Sequence, residues 1–202
     1  EYAVKPTYMN LGNEPVFSIS SGSKHSCAIT ADFSVWCWGL VNHEDLENLG
    51  PRKVLEGGQF PSISISSGSD HSCSTLFNRS VYCWGSNSHG QLGADNFTVS
   101  SKPRKVSDIG PVASISLGKT HSCALMLNGE IACWGVIGDK ADPGLGGTQH
   151  IPIMLNSSSK EKLVISSGNS HVCSVNHSGI LECWGSNFYT SDVHNISVYP
   201  AV

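Results

Sequence analysis

Eight cysteines and four evenly spaced histidines are the side chains of this sequence best equipped for chemistry. The cysteines fall in pairs ten positions apart: Cys27/Cys37, Cys73/Cys83, Cys123/Cys133 and Cys173/Cys183. A histidine (His25, His71, His121 or His171) stands two positions before each pair, and each pair closes with Cys-Trp-Gly. Four histidines around a pseudosymmetric axis would suit a zinc ion. However, C-x9-C without a CxxC knuckle is poor zinc spacing, so disulfides within each pair are the better reading. A catalytic site needs asymmetry. No carboxylate or nucleophile accompanies the histidines in more than one repeat, since Asp70 before His71 stands alone. Ser26, Ser72 and Ser122 directly follow a histidine, but adjacent residues of a strand point to opposite faces. The glycine-rich run from Asp142 to Gly147 lacks the Lys-Ser/Thr of a phosphate loop. The expectation is no catalytic residue, no metal site and no cofactor, with each histidine hydrogen-bonded to backbone inside its own repeat.

The elements that position these residues are hairpins. In HSCALMLNGEIACWG, residues 121 to 135, two apolar runs flank Asn128-Gly129, a dipeptide suited to a tight turn. With a loop of Leu127, Asn128 and Gly129, Cys123 faces Cys133 across an antiparallel pair, at a separation a disulfide bridges. The other copies are residues 25–39, 71–85 and 171–185. Their histidines recur every 46 to 50 residues, a period that means a solenoid, propeller or array. Phe33 and Arg79 stand where the other hairpins have Gly129 and Gly179, so those two hairpins are expected to use a different turn.

A small-residue strand precedes each hairpin (Val16–Gly22, Ser62–Gly68, Val112–Gly118, Leu163–Gly168). A strand starting on proline follows it (Pro51–Leu55, Pro103–Val106, Pro152–Leu155, Pro200–Val202). The fold expected is all-β, a β-propeller-like array of four four-stranded antiparallel blades, each with one disulfide inside its hairpin. The repeats run over about 16–56, 62–107, 112–155 and 163–202, behind an N-terminal connector strand in residues 1–15. Trp38, Trp84, Trp134 and Trp184 are expected between blades.

Net charge is −4 and the basic residues do not cluster beyond Lys102–Lys105, which argues against nucleic acid or an anionic membrane as partner. No apolar run reaches the roughly 20 residues of a membrane span. Paired cysteines point outside the cytosol. Five N-x-S/T sequons, at Asn78, Asn96, Asn156, Asn176 and Asn195, agree with a secreted or cell-surface glycoprotein.

The motif order resembles the regulator-of-chromosome-condensation repeat family. The second repeat shows it most fully, in Gly68-Ser-Asp-His71-Ser72, Trp84-Gly-Ser-Asn87, Gly90-Gln-Leu-Gly93 and Pro103-Arg-Lys-Val106. The fourth repeat departs from it, with Gly185-Ser-Asn-Phe-Tyr-Thr190 in place of a Gly-Gln-Leu-Gly loop. Members of the family typically have seven blades, where this sequence carries four repeats. The intracellular members lack the cysteine pair, whereas ectodomains of some plant receptor-like kinases are similar in having it. Nucleotide exchange on a nuclear GTPase is therefore not among the expectations.

What the resemblance and the loops imply together is a non-enzymatic extracellular binding or structural module. Its partners would be proteins, copies of itself among them. A carbohydrate-binding propeller and a receptor ectodomain fragment are the alternatives. Five proline-led strands accompany four hairpins once Lys5, Pro6, Thr7, Tyr8 and Met9 are counted. One strand is then surplus, and residues 5–9 are expected to join a neighbouring copy head-to-tail.

Overall fold

The computed structural model describes residues 8–40, 49–94, 99–138, 148–155 and 162–185. Fifteen strands make up its regular structure. Blade 1 comprises β1 (Val16–Ser21), β2 (His25–Thr30), β3 (Val35–Gly39) and β4 (Arg52–Leu55). Blade 2 comprises β5 (Ser62–Ser67), β6 (His71–Leu76), β7 (Val81–Ser86) and β8 (Val99–Lys105). Blade 3 comprises β9 (Val112–Leu117), β10 (His121–Met126), β11 (Ile131–Gly135) and β12 (Gln149–Met154). Blade 4 comprises β13 (Lys162–Ser167), β14 (His171–Asn176) and β15 (Leu181–Gly185). Each blade is an antiparallel meander in chain order, with the small-residue strand innermost. Innermost strands adjoin in sequence, β1 to β5, β5 to β9 and β9 to β13. Blades 1 and 4 do not pack on each other, so the array is an open arc.

The hairpin register is the one the cysteines require. His121 pairs with Gly135, Cys123 with Cys133 and Leu125 with Ile131, and the other hairpins repeat this. All four disulfides form inside their own hairpin, with Cα atoms 4.0 to 4.1 Å apart. Gly129 takes φ 79° and its N–H donates to the Met126 carbonyl.

The expectation of a different turn at Phe33 and Arg79 is overturned. They take φ 63° and 67° and make the same bonds, to Thr30 and Leu76. The residue before each supplies the reason. Asp32 Oδ1 accepts from the Ser34 N–H at 3.1 Å, and Asn78 Oδ1 from the Ser80 N–H at 3.1 Å. These side-chain turns hold the backbone where glycine would otherwise be needed.

Two further features differ from the strand pattern. A bulge skips one residue in every innermost strand, at Phe17, Ile63, Ala113 and Leu163. It resets the alternation so that Ile65 and Ile165 turn into the core. Pro103 and Pro152 lie inside β8 and β12 rather than at their starts. Both strands are outermost in their sheets and shift register there, so a missing N–H costs little. The expected strand Pro200–Val202 lies outside the described residues. So do Lys5 to Thr7 of the connector. Its described part, Tyr8 to Pro15, contains no strand.

Candidate functional site: the blade junctions and the loops above them

Each apolar core lies between two blades. At the first junction Trp84 of blade 2 packs with the Cys27–Cys37 disulfide, Ile29, Val35 and Leu55 of blade 1. At the second, Trp134 meets the Cys73–Cys83 disulfide, Val81, Leu92 and Val106. At the third, Trp184 packs against a core containing Cys123, Cys133 and Ile131. A tryptophan thus always covers the disulfide of the preceding blade. Trp84 and Trp134 are fully buried. Trp38, with no blade before it, is half-buried.

The histidines also act across the junctions, which corrects the expectation of bonding within one repeat. His25 Nε2 lies 2.7 Å from Ser72 Oγ of the next blade, and His71 Nε2 lies 2.9 Å from Ser122 Oγ. Ser122 Oγ also donates to the Gln91 carbonyl at 2.8 Å, which has lone pairs only. Ser122 must therefore accept from His71, and this fixes His71 as the Nε2–H tautomer. Trp134 Nε1–H donates to the same carbonyl at 2.8 Å. The Gly-Gln-Leu-Gly loop of blade 2 is held in turn by Asn87, whose Oδ1 accepts from the Leu92 N–H at 2.9 Å. The family-like motifs Trp-Gly-x-Asn and Gly-Gln-Leu-Gly are joinery between blades.

Glycines let the histidines into the hub. A Cβ at Gly68 would sit 2.6 Å from His71 Cε1 and 2.4 Å from the Gly118 carbonyl oxygen. One at Gly118 would sit 2.1 Å from His121 Cε1 and 2.6 Å from the Gly168 carbonyl oxygen. No side chain fits between the ring of one blade and the backbone of the next. Burial is the main force on these rings. It pushes His71 down to about 3, with His121 and His25 nearby adding to it. Burial likewise pushes His121 down to about 4, with help from His171. His25 is lowered by burial, partly offset by Asp70. All three are neutral at physiological pH and act as hydrogen-bonding wedges.

The inner ends of the blades border an open polar groove lined by Ser21, Ser67, Lys119, Ser167 and Asn169 among others. Among the described residues no three His, Cys, Asp or Glu side chains come close enough to hold a metal ion. Of the sequons, Asn78 is exposed at its turn, its Oδ1 accepting from Ser80 Oγ at 2.6 Å. Asn176 is the last residue of β14, only 4% exposed, and its Oδ1 holds the Ser178 and Ile180 N–H groups. Asn96, Asn156 and Asn195 lie outside the described residues. So does most of each variable loop, whereas 86–94 is described and carries the junction loop above. Tyr8 and Met9 of the connector are exposed. Among the described residues no helix is long and apolar enough to cross a membrane.

An arc of four-stranded antiparallel blades, each meandering outward from a shared axis, is a β-propeller architecture. The recurring unit is the regulator-of-chromosome-condensation (RCC1) repeat. Two family profiles of that description match, one over residues 80–125 and the other over 18–44 and 63–91. The match over 80–125 runs from β7 of blade 2 to β10 of blade 3, so the profile's repeat straddles the junction. No curated protein sequence matches the chain. Among solved structures, human WBSCR16 superposes with a TM-score of 0.75 at 22% identity, over 89% of this chain and 50% of that one. Yeast RCC1 (Prp20), solved bound to Kap60, gives 0.70 at 22% identity, over 89% and 45%. The CRINKLY WD40 ectodomain of the Arabidopsis thaliana receptor kinase ACR4 gives 0.53 at 21% identity, over 86% and 51%. The chain spans about half the length of these structures.

Proposed function

We propose that this chain is an extracellular, non-enzymatic protein-binding module that associates with copies of itself. The observation carrying the non-enzymatic reading is where the repeated chemistry goes. The cysteines close disulfides, the buried tryptophans fill junction cores, and His25 and His71 hold the next blade. What differs between repeats is the set of connecting loops, where a rigid scaffold carries recognition. Yeast RCC1 bound to Kap60 is a structural relative that engages a protein. The disulfides and the ectodomain likeness favour an extracellular setting, with Asn78 the glycan site best exposed. Head-to-tail association through residues 5–9 is supported by the exposure of Tyr8 and Met9.

Sedimentation equilibrium on chain secreted from cultured cells, with and without residues 1–9, tests the connector. Weaker association after the deletion is expected. Unchanged association removes residues 5–9 from the contact. Endoglycosidase treatment should lower the mass of the native chain by one glycan more than that of Asn78→Gln. A strong glycan-array signal would turn the reading to a lectin.

A further inference from the structure

The three internal junctions define what each blade face requires. The face turned to the preceding blade presents a tryptophan, an isoleucine of the innermost strand and, at blades 2 and 3, a serine hydroxyl. The face turned to the following blade presents a disulfide, apolar hairpin residues and the histidine ring. At both ends of the arc these same features lie bare. Ile19 of blade 1 is 66% exposed, where its counterparts Ile65 and Ile165 are 9% exposed. At the other end Val164 is 53% exposed, beside Val175 and Leu181 in register. Cys183 is exposed and Cys173 half-buried, whereas the sulfurs of the other three disulfides belong to fully buried residues. His171 is exposed, unlike the other three ring histidines. Ser26, the counterpart of Ser72 and Ser122, bonds only within its own blade, Oγ to Ser21 Oγ at 3.0 Å.

We propose that the two open ends are the two halves of one further blade junction, and that they close on a second copy of this chain. Blade 4 of each copy packs against blade 1 of the other. Ile19 and Trp38 cover the partner's Cys173–Cys183 disulfide, and His171 meets the partner's Ser26 as His71 meets Ser122. The occupant follows from the chemistry: this chain carries both halves of the contact, and each internal junction shows them fitting. Two arcs of four blades make a ring of eight, within the sizes propellers adopt. The contact is head-to-tail and closes as a dimer. Residues 8–15 lie along the outer part of the blade 1 face, with Leu11 buried and Gly12 beside Trp36, and leave Ile19 uncovered. This inference rests on the self-association proposed above but moves the main contact from the N-terminal segment to the blade faces.

The test is sedimentation equilibrium on the full chain, Ile19→Asp and Val164→Asp, singly and mixed. Both positions are solvent-exposed in the single chain, so both variants should keep the native circular dichroism and melting profile. The wild type is expected at twice the 21.5 kDa chain mass, after correction for any glycan, and each variant at one chain mass. Mixing the two variants should restore dimers, because one copy then offers an intact blade 1 face and the other an intact blade 4 face. Ser26→Ala should weaken association about tenfold, the worth of one hydrogen bond at a desolvated contact. A monomeric wild type overturns the proposal and leaves protein binding through the loops standing. Dimers insensitive to both substitutions, or variants that do not complement, overturn it too. If deletion of residues 1–9 disperses the dimer while Ile19→Asp does not, the connector stands and the blade-face contact falls.

Discussion

The second and third blade junctions are built to one plan and joined by different bonds. Between blades 2 and 3, His71, Ser122, the Gln91 carbonyl and Trp134 form one connected network. Between blades 3 and 4, Val172 stands where Ser122 stood, and neither ring nitrogen of His121 has a hydrogen-bond partner among the described residues. The third junction instead ties its innermost strands, the Ser167 N–H donating to Ser116 Oγ at 2.7 Å. Ser67 makes the same bond to Ser20 at the first junction, at 2.9 Å. Leu117 takes that place at the second and has no hydroxyl to offer. Buried tryptophan or isoleucine against a disulfide is common to the junctions, while the polar ties shift between the rim and the hub. Packing holds the blades together, and the hydrogen bonds fix how they align.

The sharpest way to break that comparison is through the tryptophans. Trp134→Ala should cost about 3–5 kcal/mol by emptying the second core and leaving Gln91 a donor short. Trp38→Ala should cost less than about 1 kcal/mol, since no blade covers that residue. Urea unfolding under oxidising conditions would separate the two, and equal losses would deny tryptophan its place at the junctions. Next in size is the buried Lys162 of blade 4, paired with Glu182 and lying 5.9 Å from the Trp184 ring. Glu182→Gln strands that ammonium and should cost roughly 3 kcal/mol. Ser122→Ala should cost about 1–3 kcal/mol, because it orphans the buried His71 ring. Ser116→Ala should cost less, its lost partner being a backbone N–H nearer solvent.

The smallest and broadest effect is on pH dependence. His71 and His121 have folded values near 3 and 4, below the unfolded value of 6.5. From pH 6.5 downward the unfolded chain binds protons that the folded chain refuses, so stability falls as pH falls. The contribution is complete above 6.5 and is lost progressively toward 3. The slope is at most about 1.4 kcal/mol per pH unit for each histidine. Thermal melts from pH 7.5 to 4.5 should show it, less steeply in His71→Gln. A melting temperature flat over that range would mean that the rings reach solvent.

Much of this was legible in the residues. The hairpin register, the disulfide pairs and the four units follow from cysteine spacing and Asn128-Gly129, because both constraints are local. Whatever depends on the next blade was not. The hydroxyl partners of His25 and His71 lie 47 and 51 residues away, and nothing in one repeat marks them. Ser72 and Ser122 were dismissed because they point away from their own histidine, and that orientation is what aims them at the previous one. The bulge at Ile63 is hidden because skipping one residue leaves the Ser-Ile-Ser alternation looking regular on either side. Phe33 and Arg79 were misjudged from backbone preference alone, when the residue before each had already supplied the compensating bond.

The hairpin disulfides also govern how the chain behaves under load. Tension applied at its two ends meets a covalent shortcut in every blade, between cysteines ten residues apart. No force short of bond rupture pays out the segment fenced inside, about 35 Å of contour at roughly 3.5 Å per residue. Between blades there is no such shortcut, so the arc parts at its tryptophan seams first, while each stapled hairpin stays closed as a small rigid bead on the string.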